Sequence, residues 1–470
     1  MRIKNKILGW FRWQSLIDSS HVIASMPSNR EIITRTFKIA WPSAVESILI
    51  ALIAAVDMMM VGGLGKEAVA AVGITSQPKM LILAVILSLN IGLTVLVSRR
   101  KGENDQESAN RYLRHCVLIS IGVSFTLSLL GFTFAEPLLS FAGANSDYLD
   151  LAVNYFKIIM IGNFFYSIGL TITAAQRGAG NTKISMKTNL AANFVNLFFN
   201  AMLINGLFFF PKLGVTGAAI ATAIGNIVSL VIAFYSVTRK NGFLRLSFKD
   251  NWRFEKNVLL DIKQITTPTM VEQIFLRIGF FVYAMSVASL GTVEFSAHQV
   301  CMNVMTITFA CGDGLQVAAT SLVGQNLGAK RPDLAMVYSR LAQRVGLIVG
   351  ITMCILITLF RGQIMYLFIQ DMEVIAMGQV PMMILGITVL FQVPQVITVG
   401  SLRGAGDVKF VAVLMMISVA IVRPGLTIFL AYGCNLGLFG AWMGVLIDQF
   451  TRYMVSNYRF KQAKWMSISV

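Results

Sequence analysis

The chain carries apolar runs of about 20 residues or more, the length that takes an α-helix across a bilayer. The stretch from Cys116 to Phe134, for example, holds no charged side chain. In lipid a backbone has to satisfy its own hydrogen bonds, so membrane spans are helices or closed barrels. Barrel strands are short and alternate in polarity. These runs are long and do not alternate, so they read as helices. Of the 470 residues, 56% are hydrophobic and only 13% charged, and the mean hydropathy is +0.70. That leaves too few polar residues to cover a soluble surface.

Twelve spans are expected, near 34–61, 70–98, 113–139, 149–174, 184–208, 214–238, 263–289, 296–323, 337–360, 375–400, 409–433 and 438–459. A net charge of +17 would suit nucleic acid, but the basic residues sit in short links between spans. Arg99, Arg100, Lys101, Arg177, Lys183, Arg239, Lys240, Arg245, Lys330, Arg331, Arg459 and Lys461 fall on the side of the N-terminus. The opposite links carry Asp147, Asp150, Asp371 and Glu373 instead. By the positive-inside rule both termini are cytoplasmic, in a multi-pass protein of the cell membrane, and no nucleic-acid partner is expected. The first residues, with Trp10, Trp13 and several basic side chains but no long apolar core, do not form a standard signal peptide. They suit either a short helix on the membrane surface or a disordered tail.

The chain also repeats itself. Pro42, Glu46, Leu64 and Gly65 recur 226 residues later as Pro268, Glu272, Leu290 and Gly291. Arg177-Gly178-Ala179-Gly180 recurs at the same distance as Arg403-Gly404-Ala405-Gly406. Gly214 and Gly217 match Gly437 and Gly440 at 223, which implies a three-residue deletion. The expected division is a tail at 1–33, an N-lobe at 34–238, a basic linker at 239–262, a C-lobe at 263–460 and a tail at 461–470. Each lobe holds six spans, an even number. The fold class is therefore an all-α polytopic membrane protein of twelve helices in two lobes, with a pseudo-two-fold axis along the membrane normal.

Charged groups inside spans are costly and mark pathways. The first span holds Glu46 and Asp57, close to three helical turns apart and so on one face. Each suits ion binding or a carboxylate bonded between helices; Asp57 lacks a repeat partner, since its counterpart is Tyr283. Glu272 repeats Glu46, and Arg277, five residues on, faces elsewhere on the helix. In span five Asn196 and Asn200 share a face. Their carbonyls suit Na⁺ beside a carboxylate, or hydrogen bonds between helices. Asp448 and Arg452 have the spacing of a helical ion pair, and His298 reads as structural. No HExxH, GxSxG, Walker A or dinucleotide motif is present, so no enzyme and no cofactor is expected, and energy would come from an ion gradient.

The pattern of Pro42, Val56-Asp57, Gly62-Gly63-Leu64-Gly65, Arg177 to Asn181, Pro268 with Glu272, Ala297-His298-Gln299, Val323 to Gly328 and Ser401 to Gly404 resembles the multidrug and toxic compound extrusion (MATE) transporters over residues 34–465. The resemblance implies two six-helix lobes around a central cleft that opens to each side in turn. It implies export of amphipathic, often cationic compounds in exchange for H⁺ or Na⁺. It ties cation coupling to the position of Asp57, joined in some members by asparagines that match Asn196 and Asn200, the set that would hold Na⁺. NorM-like members place carboxylates where this chain has Leu276 and Gln392. Glu46, Glu272, Arg277 and Gln392 are the expected cleft and substrate residues. The expected partners are small amphipathic molecules and membrane lipids, with the chain a monomer. A flippase of lipid-linked precursors is the alternative, disfavoured by an acid at the repeated intramembrane position.

Overall fold

The computed structural model describes residues 10–144, 146–207, 210–239, 242–247 and 249–468. Residues 1–9 of the expected surface segment and Lys240 of the basic linker lie outside them. The described residues form an all-α protein with twelve long helices. These are α1 (Asn29–Gly62), α2 (Lys66–Gly102), α3 (Gln106–Thr133), α4 (Ser146–Gly178), α5 (Thr182–Asn205), α6 (Gly214–Thr238), α7 (Lys256–Ala288), α8 (Thr292–Gly328), α9 (Pro332–Leu359), α10 (Met372–Gly404), α11 (Val408–Gly433) and α12 (Gly437–Lys461). Ten are long and apolar enough to cross a membrane. The other two, α5 and α12, are more polar because they carry the span-five asparagines and the Asp448–Arg452 pair.

The repeat is visible in the helix ends. Those of α2, α3 and α4 each lie 226 residues before those of α8, α9 and α10, and those of α6 lie 223 before those of α12. The difference arises around α11. It has 26 residues where α5 has 24, and the link after it is shorter. The extra length is taken up in two π-helical turns, Ser418–Val422 and Phe429–Gly433. Pro424 follows the first turn. It has no N–H for the carbonyl one turn back, which favours a wider turn there.

By contacts the chain divides into Met1–Ala44 with Val271–Val470, and Val45–Met270. The sequence places the division in the basic linker; the contacts place it inside α1 and α7, two residues after Pro42 and Pro268. An internal proline opens one helical hydrogen bond, so the two ends of such a helix can follow different packing partners. Gly314 of α8 leaves room for α1 at Ala40 and Ala44. In the other unit, Thr269 of α7 donates to the Ser88 carbonyl of α2 at 3.3 Å.

Within the Val45–Met270 unit α4 packs on α2, α3 and α6; within the other, α10 packs on α8, α9 and α12. Both central helices come close to their neighbours through repeated contacts. Thr94 Oγ1 donates to the Ala174 carbonyl at 3.1 Å, and Thr320 Oγ1 to the Gly400 carbonyl at 2.9 Å. A Cβ at Gly178 would lie 2.6 Å from the Thr94 carbonyl oxygen, and one at Gly404 would clash with that of Thr320. Small residues permit such approaches between helices in lipid. Outward faces are apolar, with Phe141 94%, Leu367 82% and Met59 75% exposed, while Arg423 and Asp448 are fully buried. That polarity suits a lipid surround.

The described part of the N-terminal segment begins at Trp10. It forms two short 3₁₀ turns, Trp13–Ser15 and Ser19–His21. Leu16 is buried, and the α9 arginines hold the segment by its backbone. Arg340 donates to the Leu16 carbonyl at 2.5 Å and Arg344 to the Ser15 carbonyl at 2.6 Å. Carbonyls engaged by side chains from another helix compete with helix formation in the segment itself.

Candidate ion-coupling site

The site in the Val45–Met270 unit is built from α1, α5 and α6. Asp57 is near the end of α1, five residues before Gly62. The α5 face that presents Asn196 also presents Asn200, one turn on. Asn200 Nδ2 donates to Asp57 Oδ1 at 2.8 Å and approaches Asn196 Oδ1 at 3.3 Å. Asn196 Nδ2 in turn donates to Thr222 Oγ1 of α6 at 3.1 Å, and Thr222 donates to the Ala218 carbonyl at 3.0 Å. Both asparagines are buried, at 6% and 2% exposure. The chain of bonds presents a carboxylate and amide oxygens together in an apolar setting, a donor set suited to a proton or a hard cation.

Sequence reasoning brought Asp57, Asn196 and Asn200 together, and the structure places them in one network. It missed Thr222 and Lys79. Lys79 on α2 interacts electrostatically with Asp57. The signal was available, since a lysine between Pro78 and a long apolar run is an intramembrane charge like Asp57.

The expected cleft residues each have their own contacts. Glu46 is buried on α1. Its Oε1 accepts from Ser185 Oγ at 2.9 Å and from Asn189 Nδ2, and Arg177 Nη1 stands 3.8 Å away. Arg177 also donates to Ser185 Oγ at 3.1 Å. In the other unit Glu272 is fully buried and accepts from Arg403 Nη2. Each acid therefore has a guanidinium beside it, so neither presents a bare negative charge. The arginines belong to the repeated Arg-Gly-Ala-Gly motifs, so the motif's arginine and the repeated glutamate are one structural element. Arg277, half-buried on α7, takes part in no ion pair among the described contacts. Gln392 is fully buried and donates to Thr308 Oγ1 at 3.2 Å.

Comparison with known proteins agrees with this architecture. The MatE family model matches residues 42–202 and again 268–429, so the two matches begin at the repeated prolines. A probable multidrug resistance protein NorM of Thermotoga maritima is 26% identical over 438 residues, covering 93% of both chains. An uncharacterized transporter, YisQ, of Bacillus subtilis is 27% identical over 441 residues, covering 92% of this chain and 94% of that one. An outward-facing multidrug resistance MATE family transporter of the MOP superfamily superposes with a TM-score of 0.85 at 21% identity, over 92% of this chain and 96% of that one. With the duplicated helices, the paired motifs and two family matches starting at Pro42 and Pro268 in register, this chain belongs to the MatE family of multi-pass membrane transporters.

Proposed function

We propose that the protein is an antiporter that exports amphipathic, cationic compounds in exchange for H⁺ or Na⁺, with Asp57, Asn196 and Asn200 as the coupling site. The observation that carries this reading is the 2.8 Å bond from Asn200 to the Asp57 carboxylate inside apolar helices. The multidrug resistance names of its relatives support the substrate class. Coupling requires that ion and drug favour different conformations, because only differential binding moves an equilibrium. One net charge moving inward per cycle through 100 mV supplies about 2.3 kcal/mol, enough for roughly 50-fold accumulation of drug outside, so export of a monovalent cation needs a second ion inward or a concentration gradient of the ion. Lys79 supplies the counter-charge to Asp57 when the site is empty. The basic links support cytoplasmic termini.

The test is efflux of ethidium or norfloxacin from proteoliposomes with Na⁺ and pH gradients imposed separately. Asp57→Asn should abolish the response to whichever gradient drives the wild type. Wild-type rates in that variant would refute the coupling role. Lipid translocation without drug transport would favour the flippase instead.

A further inference from the structure

The coupling site has a counterpart in the second half of the chain, and its charge is inverted. Equivalent positions follow from backbone contacts. Gly217 packs on the Leu203 carbonyl and Gly440 on that of Leu430; Leu213 N donates to the first at 2.8 Å and Leu436 N to the second at 3.2 Å. Leu203 and Leu430 are thus equivalent, so Arg423 stands where α5 has Asn196, and Thr427 where it has Asn200. Tyr283, five residues before the end of α7, replaces Asp57, five before the end of α1. Opposite Arg423, α12 presents Asp448 where α6 has Gly225, and a Cβ at Gly225 would lie 3.1 Å from that of Asn196.

This second site is fully enclosed. Tyr283, Arg423, Thr427, Trp442 and Asp448 are each 0 or 1% exposed. Arg423 Nε and Nη2 donate to Asp448 Oδ2 at 2.9 and 2.7 Å, and Arg452 Nη2 donates to the same oxygen at 2.8 Å. Ser418 Oγ takes the other oxygen. Two guanidiniums therefore share one carboxylate, leaving a buried positive charge. Several buried polar atoms in this region have no hydrogen-bond partner, among them the donors Arg423 Nη1, Arg452 Nε, Tyr283 Oη, Thr427 Oγ1 and Trp442 Nε1. They belong to one neighbourhood. The Arg423 guanidinium lies 5.9 Å from the Tyr283 ring, Thr427 is one turn beyond Arg423, and the His298 ring bridges Tyr283 at 5.2 Å to Trp442 at 5.7 Å. An unpaired buried charge and unmade buried hydrogen bonds both carry a free-energy cost. One small anion relieves both.

We infer that the Tyr283–Arg423–Thr427–Trp442 cluster binds a small monovalent anion of chloride size, as the charge-inverted twin of the cation site. A cation is disfavoured there because the one carboxylate is already shared by two arginines. The equivalence of positions rests on backbone contacts and is independent of which ion, if any, Asp57 couples.

The experiment measures thermal unfolding of the purified full-length protein in detergent, at fixed pH and ionic strength, with sodium gluconate replaced stepwise by sodium chloride or bromide. The expected result is a saturable rise in Tm with either halide. Tyr283→Phe and Thr427→Val each keep nearly the bulk and remove one donor; Trp442→Phe removes its donor together with part of the ring volume. Whichever of them fold should need about tenfold more chloride for the same rise, since a hydrogen bond to a charged group contributes about 1.5 kcal/mol. Asp57→Asn should keep the wild-type halide response. Equal Tm in chloride and gluconate overturns the proposal and leaves the orphaned donors to water. A halide response unchanged in the folded donor variants also overturns it, by placing the anion elsewhere.

Discussion

Arg403 donates to the carboxylate of Glu272, 131 residues earlier in the chain, and Arg177 stands at the same spacing from Glu46, 3.8 Å away. The repeated motif and the repeated acid are thus halves of one buried pair, made twice. The two copies differ in support. Glu46 also accepts from Ser185 and Asn189, whose counterparts in the second half are Val411 and Met415. Removing one partner of a buried pair leaves the other charged and unmatched, at a cost of about 3 kcal/mol. Arg403→Leu should therefore lower stability by about that amount. Arg177→Leu should cost less, because two neutral donors remain on Glu46. Unfolding in detergent checks this, and equal losses in the two variants would refute the argument.

Much of the architecture was legible because the physical signals are local. Long apolar runs specify spans, and an offset shared by Pro42, Glu46 and Arg177 exposes the duplication. Asp57 and Asn200 could each be singled out because they are polar where lipid solvates nothing, and the family resemblance made them partners. The Glu46–Arg177 pair could not be read in this way, since 131 residues separate partners that only packing brings together. The unit division was hidden for a related reason. Pro42 and Pro268 indicate an opened hydrogen bond, but which neighbours each end of α1 and α7 adopts depends on helices far along the chain. The inverted site was concealed by register: the π turns shift Arg423 by one residue relative to a constant offset, so it aligns with Leu197 instead of Asn196.

Gly404 offers a test of the packing of α10 on α8. A side chain there meets the backbone of Thr320, which cannot swing aside as a flexible side chain can. Gly404→Val should destabilise by about 1–3 kcal/mol and reduce the yield of folded transporter. Gly425, with nothing near its missing Cβ, is the control, and Gly425→Ala should be tolerated. Similar unfolding temperatures for Gly404→Val and the wild type would refute close packing at this point.

Asp105, in the link before α3, gives a pH-dependent prediction. Its side chain accepts from the Ser108 N–H at 3.0 Å and caps the helix. Hydrogen bonds from the Ser108 side chain and backbone hold its carboxyl below the ordinary value of 3.8. A depressed folded pKa means that the stabilisation is fully present above the unfolded value and is lost as pH falls through the folded one. Asp105→Ala should cost about 1 kcal/mol at pH 7. The gap between variant and wild type should close only in strongly acidic buffer, below the ordinary aspartate value. Unfolding measured from pH 7 downward checks this; a gap that stays constant would refute the capping role.

Lys79 sets the last prediction. It interacts with the Asp57 carboxylate and so competes with the incoming ion for the same negative charge. A like charge that interacts with the same carboxylate opposes cation binding, by roughly 1–2 kcal/mol at the effective dielectric of a partly wet protein site. Lys79→Met should therefore lower the half-saturating concentration of the driving ion by on the order of tenfold. Turnover should fall with it, because the emptied Asp57 no longer has a resident counter-charge and releases its cation slowly. Lys79→Arg, which keeps the charge, should retain the wild-type half-saturation. Ion-titrated efflux in proteoliposomes measures both quantities. An unchanged half-saturation in Lys79→Met would show that the ammonium plays no part in coupling, and that Asp57 is balanced by its asparagine network alone.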